Sequence, residues 1–105
     1  MAEYLETLRA DIPIGRNNAI RRSDLARRWK CDEREVRRIV AAMRAEDTTD
    51  PYVVLSSASH PAGYWRSSDL WELHAFVNEM SARAKHTYSA LKHAKKVLVS
   101  LEGDK

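Results

Sequence analysis

The sequence of 105 residues contains few residues that interrupt or cross-link a chain. Its single cysteine, Cys31, excludes an internal disulfide and is typical of a reducing compartment such as the cytoplasm. Three glycines and three prolines leave few interruptions, so helices are expected to dominate. No apolar run approaches the roughly 18 residues of a membrane span, and the opening MAEYLETLRAD lacks the features of a signal peptide. We therefore expect a cytoplasmic protein with no membrane partner.

Signatures of catalysis and of metal binding are also missing. His74, His86 and His93 lack the four-residue spacing of a zinc-binding helix, and Cys31 has no companion for a Cys-x-x-Cys site. The chain has no glycine-rich loop of the kind that holds phosphates. The sequence thus predicts a protein that is not an enzyme and uses no cofactor and no metal.

Positive charge, in contrast, is concentrated in one part of the chain. Residues 16–44 hold ten basic side chains against four acidic ones, whereas the formal net charge of the whole chain is +3. A local excess of this size is typical of a protein that binds a polyanion. The alternative is that these charges simply face solvent on helical surfaces.

The first half of the chain has the pattern of three helices. Residues 2–10 form the first helix, which Pro13 ends, and AIRR (19–22) is long enough for a short strand. Ser23 is a candidate N-cap for a second helix that ends near Lys30, with Trp29 on its core face. Asp32 is a candidate N-cap for a third helix, whose apolar stripe is formed by Val36, Ile39, Val40 and Met43. Two helices around a tight turn predict a helix-turn-helix.

A β-hairpin is expected next. YVVL (52–55) and GYWR (63–66) have the composition of strands, and residues 56–62 would form the tip between them. Since side chains alternate along a strand, one of Tyr64 and Trp65 should be buried and the other may be exposed. A hairpin that follows a helix-turn-helix is the wing of a winged-helix domain, which we assign to residues 1–67.

Residues 68–105 are predicted to form a long helix that begins after Asp69 and ends near Leu101. Apolar residues recur from Leu70 at alternating spacings of three and four, which is a heptad pattern. We expect its first two turns to dock on the head, with Trp71 pointing back onto it, and the rest to form a homodimeric coiled coil. The predicted dimerisation residues are Val77, Met80, Ala84, Leu91, Ala94, Leu98 and Leu101.

The basic residues near the third helix are the candidate DNA contacts. At 100° per residue, the face opposite the apolar stripe carries Arg34, Arg38 and Ala41, with Arg37 on its flank. Arginine suits such a face because its planar fork can bond guanine or clamp a phosphate. An ion pair of Arg34 or Arg37 with Glu33 or Asp24 is the structural alternative. Phosphate and wing contacts are assigned to Arg21, Arg22, Arg27, Arg28, Lys30, His60 and Arg66.

A second basic group lies on the long helix and comprises Arg83, Lys85, Lys92, Lys95 and Lys96. It could keep a dimer soluble, contact nucleic acid or bind an acidic protein.

Several motifs give the chain a family resemblance. GRNNAI (15–20), DEREVR (32–37), GYW (63–65) and RAKH (83–86) together resemble a family of small winged-helix proteins found mostly in bacteriophages and prophages. The chain departs from that family in a longer, more acidic DTTDPYVV loop and in a wing that lacks a second glycine. The resemblance implies a winged-helix fold, DNA binding in a bacterial host cell near the nucleoid, and a place for Arg34 and Arg37 on the recognition helix.

Two hypotheses of different classes follow. The first is a dimeric winged-helix protein that binds double-stranded DNA in a sequence-specific manner and regulates transcription. The second is a module of the same fold that binds a host protein as an inhibitor or adaptor. A replication accessory would share the DNA-binding surface of the first.

Overall fold

The computed structural model describes residues 2–46 and 48–103, so the outer bounds of both predicted domains lie outside the described residues. Helices account for 65% of the structure, which confirms the expectation of a mostly helical protein with a small β component. The described chain divides into two compact units after Leu73. Its elements are α1 (Ala2–Arg9), a 3₁₀ turn (Arg16–Asn18), α2 (Arg22–Trp29), α3 (Glu33–Ala45), β1 (Val53–Ser57), β2 (Gly63–Ser67) and α4 (Leu70–Gly103).

The core of the first unit lies between the three short helices and one face of the hairpin. The predicted stripe of α3 is confirmed, because Val36, Ile39, Val40 and Met43 are all buried. Spacings of three and one place these four side chains on one side of a helix. They pack with residues of α1, α2, both strands and the loop after α1: Leu5, Ile12, Leu25, Ala26, Val54 and Tyr64 are buried, and Trp29 is packed beside them.

The predicted capping role of Ser23 is wrong. Helix α2 begins at Arg22, and Arg21 occupies the N-cap position without a side-chain hydrogen bond. The Arg21 carbonyl accepts hydrogen bonds from the amides of Asp24 and Leu25. The helix starts earlier than its best capping residue because the bridge of Ile20 to the hairpin, and not a local cap, sets where the chain turns.

The N-terminus of α3 matches the sequence prediction. Asp32 is the N-cap, and its carboxylate accepts a hydrogen bond of 2.8 Å from the Glu35 amide. The Glu35 side chain does not close a capping box, because its carboxylate accepts instead from Arg38. One local hydrogen bond therefore fixes where α3 begins.

Replacing the cap tests that statement. Asp32→Ala should lower the free energy of unfolding by about 1 kcal/mol, because the Glu35 amide loses its acceptor. Asp32→Asn is the matched control, since it keeps an acceptor oxygen and should cost less. Urea unfolding monitored by tryptophan fluorescence gives both values, and equal losses in the two variants would contradict the capping role.

The hairpin is present as predicted, with strands that end one or two residues later than expected. The antiparallel strands β1 and β2 pair from Val53 with Ser67 to Ser57 with Gly63. The predicted AIRR strand is reduced to a single bridge, in which Ile20 and Tyr64 exchange backbone hydrogen bonds of 2.9 and 2.8 Å. Gly63 permits this close approach, because its φ is +126° and a Cβ there would collide with the Ile20 carbonyl.

Tyr64 and Trp65 are both buried, which corrects the expectation that one of them could be exposed. Tyr64 faces the core, and Trp65 lies on the opposite face beside Leu55, its cross-strand neighbour. That second face is covered as well, because the Trp65 indole donates to Glu72 and the Arg16 guanidinium lies 5.3 Å from the centre of its ring. Both faces of this two-stranded sheet are therefore buried within the unit.

The start of α4 follows the predicted cap but not the predicted packing. The Asp69 carboxylate accepts from the Glu72 amide, as an N-cap does. Glu72 then accepts from Ser67 at 2.6 Å as well as from Trp65, and these polar contacts hold the first turn. The prediction that Trp71 points back onto the head is wrong, since its side chain is 80% exposed. Residues 71 and 72 point about 100° apart on a helix, and Glu72 takes the inward direction.

The second unit begins at His74, and its described residues, 74–103, are the rest of α4. The predicted dimerisation residues of this helix are all exposed in the single chain. They include the large apolar side chains of Val77, Leu98 and Leu101, each more than half exposed. No helix within the described residues is long and apolar enough to cross a membrane.

Candidate nucleic-acid interface

The outward face of α3 carries charge and little bulk. Arg34, Arg37, Arg38, Ala41 and Ala45 are all exposed; Arg37 lies on the flank and the other four lie opposite the buried stripe of the same helix. The fold thus brings together the four residues that the sequence predicts for the recognition helix. Alanines between arginines leave a slim surface, which allows the helix backbone to approach another molecule closely.

The two arginines near the start of this face have no competing partner among the residues that the structure describes. Arg34 and Arg37 make no hydrogen bond or ion pair with any described residue. Their proposed intramolecular partners are taken by others: Glu33 pairs with Arg22, and Asp24 pairs with Arg27. The guanidinium groups of Arg34 and Arg37 are therefore available to an external anion.

Arg38 differs from its neighbours because it has a carboxylate beside it. Its guanidinium lies 3.0 Å from Glu35, three residues earlier on the same helix, and 74% of its side chain is exposed. Ion pairs this exposed contribute about 0–1 kcal/mol, so an incoming phosphate can displace the carboxylate at small cost.

Arg22 joins the beginnings of α2 and α3. Its Nε donates to Glu33 at 3.0 Å. The Glu33 carboxylate, and secondarily the Tyr64 hydroxyl, raise the pKa of Arg22 above its ordinary value. The sequence assigned Arg22 to phosphate contact, and the structure shows that it also links the two helices of the helix pair.

The other predicted phosphate contacts surround α2. Arg21 and Lys30 are exposed and make no side-chain contact with another described charged group. Arg27 lies 3.8 Å from Asp24 with 82% of its side chain exposed, and Arg28 lies 3.1 Å from Asp11. Lys30 ends α2 in a left-handed conformation with φ of 54°, in the turn that leads to α3.

The two basic residues assigned to the wing lie in different environments. His60 is exposed in the loop between β1 and β2, where a wing contact would have to be. Arg66, in contrast, is turned inward: its Nε donates to the Ile12 carbonyl at 2.6 Å, and its guanidinium lies 5.9 Å from the Tyr52 ring. Arg66 is thus tied to the body of the unit and is the least available of the predicted contacts.

Arg44, the last of the ten basic residues in the segment 16–44, has a structural contact that the sequence does not reveal. Its Nε donates to the Val54 carbonyl at 2.9 Å, and its Nη2 donates to Ser56 at 3.3 Å. The end of α3 is thereby fixed to β1, which sets the direction of the hairpin relative to the exposed face of α3. No signal in the sequence separates such an anchor from a solvent-facing arginine.

The distribution of acids explains why this surface stays positive. Each of the four acids in residues 16–44 has a role inside the unit: Asp24, Glu33 and Glu35 form ion pairs, and Asp32 caps α3. Four cations of this segment make no side-chain hydrogen bond, ion pair or ring contact with the described residues, namely Arg21, Lys30, Arg34 and Arg37. The face of α3 and the ends of α2 thus form a positive surface, which we call the α2–α3 surface.

Metal and nucleophile chemistry is not visible in the described part of the chain. There, no group of three or more histidine, cysteine, aspartate or glutamate side chains comes together as metal ligands would. Burial, and secondarily the Glu35 and Asp32 carboxylates, raise the pKa of the Cys31 thiol. A thiol with a raised pKa is protonated at neutral pH and is a poor nucleophile.

Comparison of the chain with protein-family models, with curated proteins and with solved structures finds no match.

Proposed function

We propose that this chain is a winged helix-turn-helix protein that binds double-stranded DNA and acts as a dimeric, sequence-specific transcriptional regulator of the phage type. The observation that carries the proposal is the α2–α3 surface, where cations without partners surround the exposed face of the second helix of a helix pair. Positive charge at this place in a helix-turn-helix is where a duplex is bound.

The order of elements supports a winged helix. Helices α2 and α3 are separated by residues 30–32, and they are followed by a hairpin with a loop between Ser57 and Gly63. The bridge between Ile20 and Tyr64 adds a third extended segment to that hairpin. Three helices, a helix pair with a short turn and a hairpin joined to the chain before α2 are the parts that a winged-helix domain requires.

The chemistry of α3 supports contact with a major groove. Arg34 and Arg37 have free planar forks that can bond the O6 and N7 atoms of guanine or clamp a phosphate. Ala41 and Ala45 add little bulk, so the helix can enter the groove. Arg21, Arg27, Arg28 and Lys30 would then lie against the phosphates on either side, where contacts set affinity and not sequence preference.

Salt dependence is the first test of this proposal. If six to eight phosphates are neutralised, the logarithm of the binding constant should fall with the logarithm of salt concentration with a slope of roughly −5 to −7. Fluorescence anisotropy with a random duplex of about 25 base pairs, at several salt concentrations, measures the slope.

A flat response to salt, or no binding at low salt, would overturn the proposal. Heparin serves as a control, since equal affinity for heparin and for duplex DNA would show binding to any polyanion. Selection from a randomised duplex pool then tests whether the binding is sequence-specific.

A protein-binding module is the second candidate, and the charge of α4 favours it. Between Glu79 and Glu102 the helix carries five basic residues and no acid. An acidic host protein would bind there, and Lys92 and Lys96 would then dominate binding. A replication accessory would use the α2–α3 surface, as the regulator does, and would differ in its DNA target.

A further inference from the structure

The second unit exposes an apolar stripe that a single helix cannot bury. From Val77 to Leu101 the stripe residues recur at alternating spacings of three and four, and every one of them is exposed in the single chain. Leu91 is 48% exposed and Leu98 is 54% exposed. A heptad pattern with this exposure requires a facing helix.

Charge along α4 indicates the direction of that helix. The early turns carry Glu72 and Glu79, whereas all the basic residues of α4 come later, between Arg83 and Lys96. Two parallel copies would place five cations level with five cations, within roughly one or two Debye lengths of each other. An antiparallel pair centred between Lys85 and His86 would reduce this overlap, because Lys92 of one copy would lie level with Glu79 of the other and only Arg83 and Lys85 would remain in the central part where the two basic segments overlap.

The sizes of the stripe residues favour the same direction. In a parallel pair each residue meets its own copy, so layers of two alanines at Ala84 and Ala94 would alternate with a layer of two leucines at Leu91. An antiparallel pair centred between Lys85 and His86 contains no layer of two alanines between Val77 and Ala94. Its layers are Val77 with Ala94, Met80 with Leu91, and Ala84 with Thr87.

The residues that flank the stripe also favour the antiparallel direction. In this antiparallel register Phe76 of one copy lies next to Val97 of the other, and Tyr88 lies next to Ser81. A parallel pair would place Val97 next to Glu102 instead. The antiparallel register therefore brings apolar flanking residues together and sets a bulky residue beside a small one.

We propose that α4 pairs with α4 of a second copy of this chain in the antiparallel direction, centred between Lys85 and His86. The proposal rests on the dimeric part of the proposed function and adds its geometry. Met80 of the second copy then lies level with Leu91, where its flexible side chain can adapt to the leucine. The two His74 residues lie about 35 Å apart along the pair, at 1.5 Å per residue.

Cysteine cross-linking tests the direction. In a Cys31→Ala background, the Met80→Cys and Leu91→Cys variants are prepared separately, one of them with a tag that changes its mass. After the two are unfolded and refolded together, oxidation should join a tagged chain to an untagged one. Each variant oxidised alone should remain largely uncross-linked, because a disulfide needs Cα atoms within about 7 Å.

The Leu98→Cys variant is the control for a parallel pair. In the antiparallel register two Leu98 positions lie about 37 Å apart along the helices, so this variant should not cross-link alone. Efficient cross-linking of Leu98→Cys, or of Leu91→Cys alone, would overturn the antiparallel direction while leaving dimerisation intact.

A measurement of the mass in solution separates the proposal that the chain is a dimer from the proposal that its α4 helices pair antiparallel. Sedimentation equilibrium of the unmodified chain should give twice the monomer mass of 12.1 kDa. A monomer would overturn both the dimeric part of the proposed function and the pairing of α4. A dimer in which the mixed variants fail to cross-link would overturn this pairing alone, and DNA binding by the α2–α3 surface is measured independently.

Discussion

The Arg34→Glu/Arg37→Glu double variant is expected to bind duplex DNA at least about 100-fold more weakly than the unmodified chain at 0.1 M salt. Both guanidinium groups are exposed and have no ion-pair partner among the described residues. Loss of an arginine contact to a base costs about 1–3 kcal/mol, and 1.4 kcal/mol is a factor of ten in affinity. Two such losses, with two carboxylates now facing the phosphates, account for the expected effect.

Arg34 and Arg37 are a better choice for this test than Arg38. Because Arg38 already has Glu35 at 3.0 Å, its replacement would alter a local ion pair as well as the surface charge. Replacing two exposed side chains that make no hydrogen bond or ion pair with a described residue should leave the stability of the first unit unchanged. Thermal unfolding of the double variant checks this.

Lys92→Glu/Lys96→Glu is the matched control. It changes the net charge by the same amount, but on α4, and it should retain most of the affinity for DNA. Anisotropy titrations of both double variants on one random duplex, at equal salt, give the comparison. If the α4 variant loses binding and the α3 variant keeps it, the α2–α3 surface is not the DNA site and the basic segment of α4 becomes the interface to pursue.

Local patterns predicted α3 well because its determinants are close in sequence. A capping aspartate and four apolar residues at helical spacing are enough to set its start and its buried side. The start of α2 was not predictable in the same way. There the bridge between Ile20 and Tyr64, residues 44 positions apart, sets the path of the chain before the helix.

The hairpin shows the limit of the alternation rule. Alternation places Tyr64 and Trp65 on opposite faces but does not say whether the second face is covered. Here Glu72 and Arg16 cover it, and both act through hydrogen bonds or ring contacts that no periodicity reveals. Trp71 was expected to point back onto the head, yet the inward direction is taken by Glu72, because the side chains of Trp65 and Ser67 donate hydrogen bonds to its carboxylate there.

The location of the candidate site was predictable from the sequence, but which of its arginines form contacts inside the unit was not. Counting charges locates the basic segment, and helical geometry identifies the exposed face of α3. Which arginines remain available depends on where backbone carbonyls lack a donor, and that is a property of the folded chain. Arg44 donates a hydrogen bond to the Val54 carbonyl and Arg66 donates one to the Ile12 carbonyl, so these two arginines are held within the unit.

Arg9 is the third arginine of this kind and the most buried. Its side chain is 5% exposed, and its Nη2 donates to the Met43 carbonyl at 3.2 Å. Carbonyls in the last turn of a helix have no hydrogen-bond donor within the helix, so Arg9 supplies a donor to the end of α3. Its positive charge also lies at the C-terminal end of α3, where the helix dipole favours a cation. Its guanidinium also lies 3.6 Å from Glu46 and 3.7 Å from Asp50. One side chain from α1 thus holds the end of the helix that carries the candidate DNA contacts.

Arg9→Ala should therefore destabilise the first unit by about 3–5 kcal/mol, because it leaves the Met43 carbonyl and the Glu46 carboxylate without their buried cation. With about 4–8 °C per kcal/mol for a unit of this size, its melting temperature should fall by at least about 12 °C. Tryptophan fluorescence during urea unfolding reports on this unit, since Trp65 is buried in it.

Arg28→Ala is the matched control: it removes an arginine whose ion pair with Asp11 is largely exposed, and it should lower the free energy of unfolding by no more than about 1 kcal/mol. Similar losses in the two variants would mean that the contacts of Arg9 contribute no more than a surface ion pair, and that α3 is held by its apolar stripe alone.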